Sequence, residues 1–252
     1  MRFRLTAFGL HLLGSACALS LVLGGLWLGW YHWPGWFLTG VTHVLWIVPV
    51  VDLVIGPALT LIIANPAKPR RELTRDIAMI ATVQLVALSY GAATLWQGRP
   101  LYYAYSSDRL ELVQASDLHA DEIALARQQR SDLAPHWYSR VRWVWAALPE
   151  NPDEAAKIVN GTLFGKGQDV IDMPRYFRPW TDGLTLLRKN LQPIGDIRYV
   201  SRNGKARLAA RMQRMGLAAG ERNAMIMWGN GKPLVAIFDP QSAQIRAILK
   251  GD

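Results

Sequence analysis

Residues 44–64 read VLWIVPVVDLVIGPALTLIIA, an apolar run with no Lys or Arg and one carboxylate, Asp52. A helix rises about 1.5 Å per residue, so about 20 apolar residues cross a hydrocarbon core of about 30 Å. Residues 6–30 and residues 77–97 are apolar over similar lengths. Because lipid offers no partner to backbone N–H and C=O groups, each run is expected to be helical. The first 98 residues are therefore predicted to be a bundle of three transmembrane helices.

The composition of the chain changes after Gly98. Residues 99–252 hold 22 Lys and Arg and 16 Asp and Glu, whereas residues 1–98 hold six and three. A charged fraction of this size is typical of a soluble domain. Residues 99–252 are therefore predicted to be a separate domain. The net charge of +9 is spread along the chain. Because nucleic-acid binding needs clustered cations, we expect no nucleic-acid partner.

Basic residues beside the spans predict the orientation. They precede the first span and fill the connection between the second and third, at Arg2, Arg4, Lys68, Arg70, Arg71 and Arg75. The first connection, residues 32–43, carries no full charge. The positive-inside rule places the basic segments in the cytoplasm. Three crossings then put residues 99–252 on the opposite side of the membrane.

The C-terminal domain alternates helix and strand signals, which indicates an α+β fold. Strands are expected at residues 99–106, 109–115 and 141–148, followed by a meander at 224–228, 233–238 and 244–249. Helices are expected at residues 116–129, from 151 to 161 or 165, at 182–190 and at 203–215.

Asp52 is the least ordinary residue of the second span. A carboxylate at the centre of a transmembrane helix costs about 2.5–3.5 kcal/mol on insertion scales, so it should face protein or water. Pro57 removes a backbone donor, which predicts a kinked helix with a small face at Gly56. Residues at the same depth on the other spans are its expected hydrogen-bond partners, namely Ser20 and either Ser89 or Tyr90. Two interpretations stay open, a contact site for a partner and a buried hydrogen bond that fixes helix register.

Residues 173–180 of the C-terminal domain read MPRYFRPW, with two prolines around alternating Arg and aromatic residues. Proline fixes φ and lacks an N–H, so a stiff extended segment is expected. Arg and aromatic side chains are enriched in binding surfaces. The alternative is a loop whose rings fill the domain core.

Patterns of catalytic or metal-binding residues are incomplete in this sequence. The stretch GTLFGK at residues 161–166 is one residue short of a phosphate loop and has no Ser or Thr after the Lys. His119 and His136 lack the cysteine or histidine partners of a zinc site. We therefore predict no catalytic residue, no metal and no cofactor.

Five stretches in order along the chain carry a family resemblance. They are residues 51–60 (VDLVIGPALT), 6–13 (TAFGLHLL), 98–102 (GRPLY), 108–111 (DRLE) and 174–180 (PRYFRPW). Each motif is short, but together and in this order they resemble the type IV pilin accessory proteins of the TfpX/TfpZ type. The resemblance covers most of the chain and is less distinct in the C-terminal meander.

The resemblance implies a non-catalytic, chaperone-like protein of the bacterial inner membrane, with its C-terminal domain in the periplasm. Such a protein supports the stability of the major type IV pilin and its assembly into pili. Its expected partners are the pilin membrane helix, the pilin periplasmic head, other pilus assembly proteins and membrane lipids. The hypothetical binding residues are Asp52, Gly56, Pro57 and Thr60 for the helix, and Arg175, Tyr176, Phe177, Arg178 and Trp180 for the head.

A membrane enzyme that modifies pilin, such as a transferase, is the alternative function. Transferases of that kind usually have more spans and a polar cluster at the membrane surface. A sensor is a weaker alternative, because the cytoplasmic segments 1–5 and 65–76 are too short to hold an output domain.

The predicted topology can be tested with reporter tags. A tag before Met1 should report the cytoplasm, and a tag after Asp252 should report the opposite side. The measurement is alkaline phosphatase and fluorescent-protein activity of the two fusions in cells. Protease access to both termini from one side of the membrane would contradict three crossings.

Overall fold

The structure is a computed structural model, and it describes residues 1–107, 109–129, 131–165, 167–231 and 233–251. The chain divides into two units. One unit consists of Met1–His32 and Val41–Gly98, and we call it the membrane unit. The other consists of Trp33–Gly40 and Arg99–Asp252, and we call it the outer domain.

The membrane unit contains three helices that are long and apolar enough to cross a membrane. They are α1 (Arg2–Tyr31), α3 (Thr42–Ile63) and α4 (Arg70–Gln97). A short helix, α2 (Gly35–Leu38), lies between the first two in sequence and belongs to the outer domain. The predicted spans 6–30 and 77–97 lie inside α1 and α4. The helix α4 begins seven residues before the predicted span. The prediction marked only the apolar part of the helix, and its first turns are polar.

The helix α3 departs from regular geometry in its middle. It widens to a π-helical turn over Val51–Ile55 and resumes as an α-helix at Gly56, immediately before Pro57. The predicted irregularity around Pro57 therefore takes the form of a widened turn.

Small residues allow close packing within the membrane unit. A Cβ added to Gly91 of α4 would lie 2.5 Å from Cγ2 of Val48 on α3. Val48 forms a buried cluster with Leu19 and Leu88, so all three long helices meet there. Near the C-terminal ends of α1 and α4, the Tyr31 hydroxyl donates to the Leu95 carbonyl at 2.7 Å. Close backbone approach at Gly is typical of helix packing in lipid.

Within the described residues of the outer domain, seven strands form one mixed sheet in the order β4-β3-β1-β2-β5-β6-β7. Pairs β1/β3 and β2/β5 are parallel, and the other neighbours are antiparallel. The strands are β1 (Pro100–Ser106), β2 (Arg109–Gln114), β3 (Arg142–Ala146), β4 (Phe177–Pro179), β5 (Ala224–Trp228), β6 (Leu234–Phe238) and β7 (Ile245–Lys250).

Side chains on both faces of the sheet are buried. Successive residues of a strand point to opposite faces. Tyr102 and Ala104 of β1 accordingly belong to one core cluster, and Tyr103 and Tyr105 belong to another. Besides α2, the α-helices in the described part of the outer domain are α5 (Ala120–Gln128), α6 (Pro152–Leu163), α7 (Leu184–Asn190) and α8 (Arg202–Arg214).

The predicted elements of the outer domain agree with this mixed sheet and its helices, with two differences. The helix α5 begins at Ala120, four residues after the predicted start, because residues 114–119 form a turn in which Asp117 accepts the Gln114 N–H at 2.8 Å. The stiff extended segment predicted at residues 173–180 is extended only over Phe177–Pro179, which form β4. Short 3-10 turns at Pro174–Tyr176 and Trp180–Gly183 flank this strand, because the fixed φ of proline is also compatible with a turn.

The segment Trp33–Gly40 is part of the outer domain, although it precedes two helices of the membrane unit in sequence. Leu38 is fully buried in the core cluster of β1, β2 and β6. Its carbonyl accepts the Gly231 N–H at 2.8 Å, and a Cβ on Gly229 would lie 2.4 Å from the same oxygen. The predicted division into residues 1–98 and 99–252 therefore needs a correction. Phe37, next to Leu38 in this segment, also packs against the outer domain's core.

We expect the substitution Leu38→Ala to destabilise the outer domain. Removing a fully buried Leu side chain costs about 2–5 kcal/mol in free energy of unfolding, through lost burial and the cavity left behind. The measurement is pulse proteolysis of the detergent-solubilised full chain in increasing urea. The control is Leu163→Ala, at a residue that is 73% exposed, where a change below about 0.5 kcal/mol is expected. Equal midpoints for the two variants would contradict a core role for Leu38.

Candidate functional site

Polar side chains from three helices gather inside the membrane unit. Asp52, Thr60 and Gln84 are 3%, 1% and 8% exposed. They come from α3 and α4, and His11 of α1 joins them. We call these four residues the polar cluster. Polar groups at this depth in a transmembrane bundle are costly unless they find partners, and they often mark functional positions.

Hydrogen bonds of the polar cluster join all three helices. The Nδ1 atom of His11 lies 2.5 Å from the Thr60 hydroxyl, and its Nε2 atom lies 2.5 Å from Oε1 of Gln84. The Gln84 amide nitrogen donates to the backbone carbonyl of Asp52 at 3.0 Å. Because Gln84 uses both ends of its amide, it connects α1 to α3.

The widened turn of α3 explains why Gln84 is needed. The Gly56 N–H bonds to the Val51 carbonyl, five residues back, instead of the Asp52 carbonyl. The next residue is Pro57, which has no N–H. The Asp52 carbonyl is therefore left without a donor from its own helix, and Gln84 supplies one. Regular α-helical pairing would instead leave the Leu53 carbonyl without a donor, because that carbonyl is four residues before Pro57.

The Asp52 carboxylate lies beside the side chains of Gln84 and His11. Its oxygens form no hydrogen bond of normal geometry with the residues that the structure describes, but the second N–H of the Gln84 amide and the charge of the His11 ring both attract it. A buried polar group without a partner is costly, and a charged one more so.

A cavity of about 600 Å³ adjoins the polar cluster. It lies between α1, α3 and α4, and its walls are mainly apolar. All four members of the cluster contribute to its lining, together with residues that include Phe3, Ala7, Leu10, Ala18, Ile77, Leu85 and Leu88. The site is therefore an apolar cavity with one polar side.

The predicted partners of Asp52 are wrong. Ser20, Ser89 and Tyr90 are exposed on the outer surfaces of their helices, and Tyr90 is 76% exposed. Counting residues from the membrane surface gives a depth but not the rotation of a helix, so it selected residues on the wrong faces.

Sequence reasoning also missed His11 and Gln84. Gln84 continues the buried stripe of α4, with Ile80, Leu88, Gly91 and Leu95 at helical spacing. A lone amide in such a stripe is a signal that could have found it. Of the other predicted residues, Gly56 and Pro57 are buried, and a Cβ on Gly56 would collide with the Gln84 side chain. The small face at Gly56 is thus already occupied within the bundle.

The Arg175–Trp180 segment mostly serves the core of the outer domain. Nε of Arg175 lies 3.1 Å from the Glu122 carboxylate, and its guanidinium lies 4.7 Å from the Tyr176 ring centroid. The Tyr176 hydroxyl donates to Glu154. These contacts hold both side chains against the domain.

Phe177 and Trp180 continue this inward packing. Phe177 is buried, and its ring meets Tyr102 edge-on with centroids 4.9 Å apart. Trp180 packs against Trp143 at 5.3 Å. Among the five residues predicted to bind a partner, Arg178 alone is exposed. The core-filling alternative therefore describes this segment, which forms a short turn, the strand β4 and a second short turn.

Carboxylates of the outer domain gather around Asp172. Burial, with the nearby charges of Asp117, Asp169 and Glu111, raises the pKa of the Asp172 carboxyl to about 6. Arg109 offsets part of this charge, at 2.8 Å from Glu111 and 3.0 Å from Asp169.

Of the 108–111 stretch, Asp108 lies outside the described residues. No cluster of three or more metal-binding side chains occurs in the part of the chain that the structure describes.

Comparisons with known proteins find relatives among fimbrial assembly proteins of Dichelobacter nodosus. The chain is 26% identical to the serogroup I protein over 188 residues, which is 74% of this chain and 70% of that protein. It is 29% identical to the protein of serogroups C1 and C2 over 118 residues, 47% of this chain and 90% of that protein. No family model matches. No solved structure matches either.

We expect Asp172→Asn to stabilise the outer domain at neutral pH. The pKa of Asp172 is about 6 when folded, against 3.8 ordinarily, so the folded state binds the proton more tightly. The contribution of Asp172 to the free energy of unfolding is therefore fully present below pH 3.8 and is lost as the pH rises through 6. The uncharged Asn should avoid a loss of at most about 3 kcal/mol, which solvent screening of this partly exposed carboxyl reduces.

Thermal unfolding of the full chain in detergent, followed by near-ultraviolet circular dichroism, measures this difference. The midpoint of the variant should exceed that of the wild type at pH 7.5 and approach it at pH 4. The control is Asp196→Asn, at an exposed carboxylate. A constant difference between Asp172→Asn and wild type across this pH range would contradict the assignment.

Proposed function

We propose that this chain is a non-catalytic accessory protein of the bacterial inner membrane. It binds the major type IV pilin and supports pilin stability and assembly into pili. The similarity to fimbrial assembly proteins over about three quarters of the chain supports a role in pilus assembly. The five collinear motifs support the narrower TfpX/TfpZ type.

The intramembrane cavity is the observation that carries the proposal. A pilin that awaits assembly is held in the membrane by one apolar helix, with its head in the periplasm. A bundle that served only as an anchor could close its interior completely. This one keeps about 600 Å³ between its helices, with apolar walls and one polar side. Such a groove suits part of another helix.

The docking surface differs from the one expected at Gly56. Gln84 already packs against Gly56, so the surface offered to pilin is the cavity wall formed by residues such as Leu10 and Leu85. In the outer domain, Arg178 on the edge strand β4 is the exposed member of the segment proposed to meet the pilin head. Two linked weak contacts give useful avidity between partners confined to one membrane.

Deletion of the gene for this chain should lower both pilin abundance and surface piliation. Unbound pilin would be exposed to membrane proteases, so its steady-state level should fall. Immunoblots of whole cells and of sheared pili measure the two quantities, with plasmid-borne wild type as the control. Unchanged abundance together with unchanged piliation would reject the proposal.

Two neighbouring residues of α4 give a matched test in the same strain. Leu85 lines the cavity, whereas Val86 does not and is 65% exposed. Leu85→Trp should fill the cavity and fail to restore piliation, while Val86→Trp should restore it. The intact mass of pilin is measured alongside. A mass change that depends on this protein would favour the transferase alternative instead.

A further inference from the structure

Three ring-bearing side chains project from one turn of the outer domain. His136 is exposed, and Trp137 and Tyr138 are 72% and 60% exposed. The His136 and Tyr138 rings are stacked with centroids 5.3 Å apart, and Trp137 meets Tyr138 edge-on at 5.5 Å. We call residues 136–139 the aromatic turn. Grouped apolar surface of this kind commonly marks a place where a protein or a membrane is bound.

Hydrogen bonds hold the aromatic turn in a fixed shape. The His136 N–H donates to the Ser139 hydroxyl oxygen at 2.9 Å, and the Ser139 N–H donates to the His136 carbonyl at 3.1 Å. Below the turn, the Arg127 guanidinium donates to the Pro135 carbonyl at 2.8 Å, and Arg142 donates to the backbone carbonyls just before it. Because the base is already ordered, the rings can bind a surface with little further loss of conformational entropy.

The topology of the sheet places the aromatic turn at one particular edge. Strands β1 and β3 are parallel, with Arg142 beside Tyr102, and the turn comes just before β3. It therefore lies at the edge where β1 begins, which we call the near edge. Strand β2 is antiparallel to β1 and β5 is parallel to β2, so both of these strands run towards the near edge.

The connections between the outer domain and the membrane helices meet the near edge. Strand β1 begins at Pro100, three residues after α4 ends at Gln97. The segment Trp33–Gly40 follows α1 and precedes α3, and its Leu38 carbonyl accepts the N–H of Gly231, just after β5. Three residues of chain span at most about 11 Å. The near edge is therefore joined to the ends of the long helices by short stretches of chain.

We propose that the aromatic turn inserts Trp137 and Tyr138 into the headgroup layer of the bilayer and so ties the near edge of the outer domain to the lipid surface. This inference rests on the part of the proposed function in which α1, α3 and α4 cross the membrane. Trp and Tyr are favoured at membrane–water interfaces, because each has an apolar ring and a polar N–H or O–H. Arg140, exposed beside the turn, can donate to lipid phosphates in the same layer.

Position favours lipid over a protein surface as the partner of the turn. Aromatic side chains are also enriched in protein–protein interfaces, so the rings alone do not decide between the two. The headgroup layer adds about 5–7 Å to each side of the hydrocarbon core, directly beyond the ends of the spanning helices. Rings at an edge that is joined to those helix ends by so few residues are within reach of this layer.

The test uses the full chain in phosphatidylcholine vesicles with one fluorophore per chain. Cys17 is the single cysteine, so Cys17→Ser frees the chain for a probe at Tyr138→Cys. The matched control is Gln241→Cys in the same background. Gln241 is exposed in the turn after β6, and β6 is antiparallel to β5 and ends at the opposite edge of the sheet. Both substitutions replace exposed side chains and should leave the fold intact.

Quenching by spin-labelled phosphatidylcholine measures the contact, with the nitroxide either on the headgroup or midway along the acyl chain. The headgroup nitroxide should quench most of the fluorescence of the Tyr138→Cys probe and little of that of the Gln241→Cys probe. Equal, weak quenching of the two probes would overturn the proposal. The vesicles hold no other protein, so a turn that fits only a protein partner would give that result.

A charge in place of the indole separates the effect of the rings from that of the short chain connections. Trp137→Asp, added to the Tyr138→Cys chain, should reduce quenching to the level of the Gln241→Cys probe, because a carboxylate resists entry into the interface. Trp137 is exposed, so this substitution should not unfold the domain. Full quenching retained in Trp137→Asp would overturn the role of the aromatic rings.

The unsubstituted chain separates this inference from the proposed function. Cys17 is exposed near the middle of α1, so a fluorophore there should be quenched most by the mid-chain nitroxide. An unquenched Cys17 probe would reject insertion of the bundle, and with it both proposals. Headgroup quenching at Tyr138→Cys with a normal pilin level in the deletion strain would reject pilin as the partner and keep the lipid contact. A lowered pilin level without that quenching would do the reverse.

Discussion

The missing N–H of Pro57 is the constraint on which the membrane unit depends. In the widened turn of α3, it leaves the Asp52 carbonyl without a donor from its own helix. Gln84 of α4 supplies that donor, and its other end meets His11 of α1. An unsatisfied carbonyl in hydrocarbon costs several kcal/mol. One defect in one helix therefore fixes the contacts of all three.

The same constraint brings the Asp52 side chain next to Gln84. The Gln84 amide nitrogen carries two N–H groups, and one of them donates to the Asp52 backbone carbonyl. The carboxylate lies beside Gln84 and His11 on the polar side of the cavity. Proline thus helps to gather polar groups of all three helices in one cluster.

Periodicity and composition were enough to predict the apolar helices and most strands. The runs at residues 6–30 and 77–97 fall inside α1 and α4, and the C-terminal meander appears as β5, β6 and β7. The candidate site was harder to predict. Contacts between helices depend on how each helix is rotated about its axis, and the depth of a residue in the membrane does not give that rotation. Ser20 and Tyr90 have a suitable depth and face outward, whereas Gln84 faces the interior. The π-helical turn at Val51–Ile55 was not predicted either. It is defined by which backbone N–H and C=O groups pair, and the apolar pattern of the sequence does not show that pairing.

The insertion of Trp33–Gly40 into the outer domain has a consequence for the order in which the protein is made. This segment leaves the ribosome before α3 and α4, but the core that Leu38 enters is formed by residues that follow both helices. The outer domain can therefore be completed only after α3 and α4 have been synthesised. Until then, Leu38 has no core to enter.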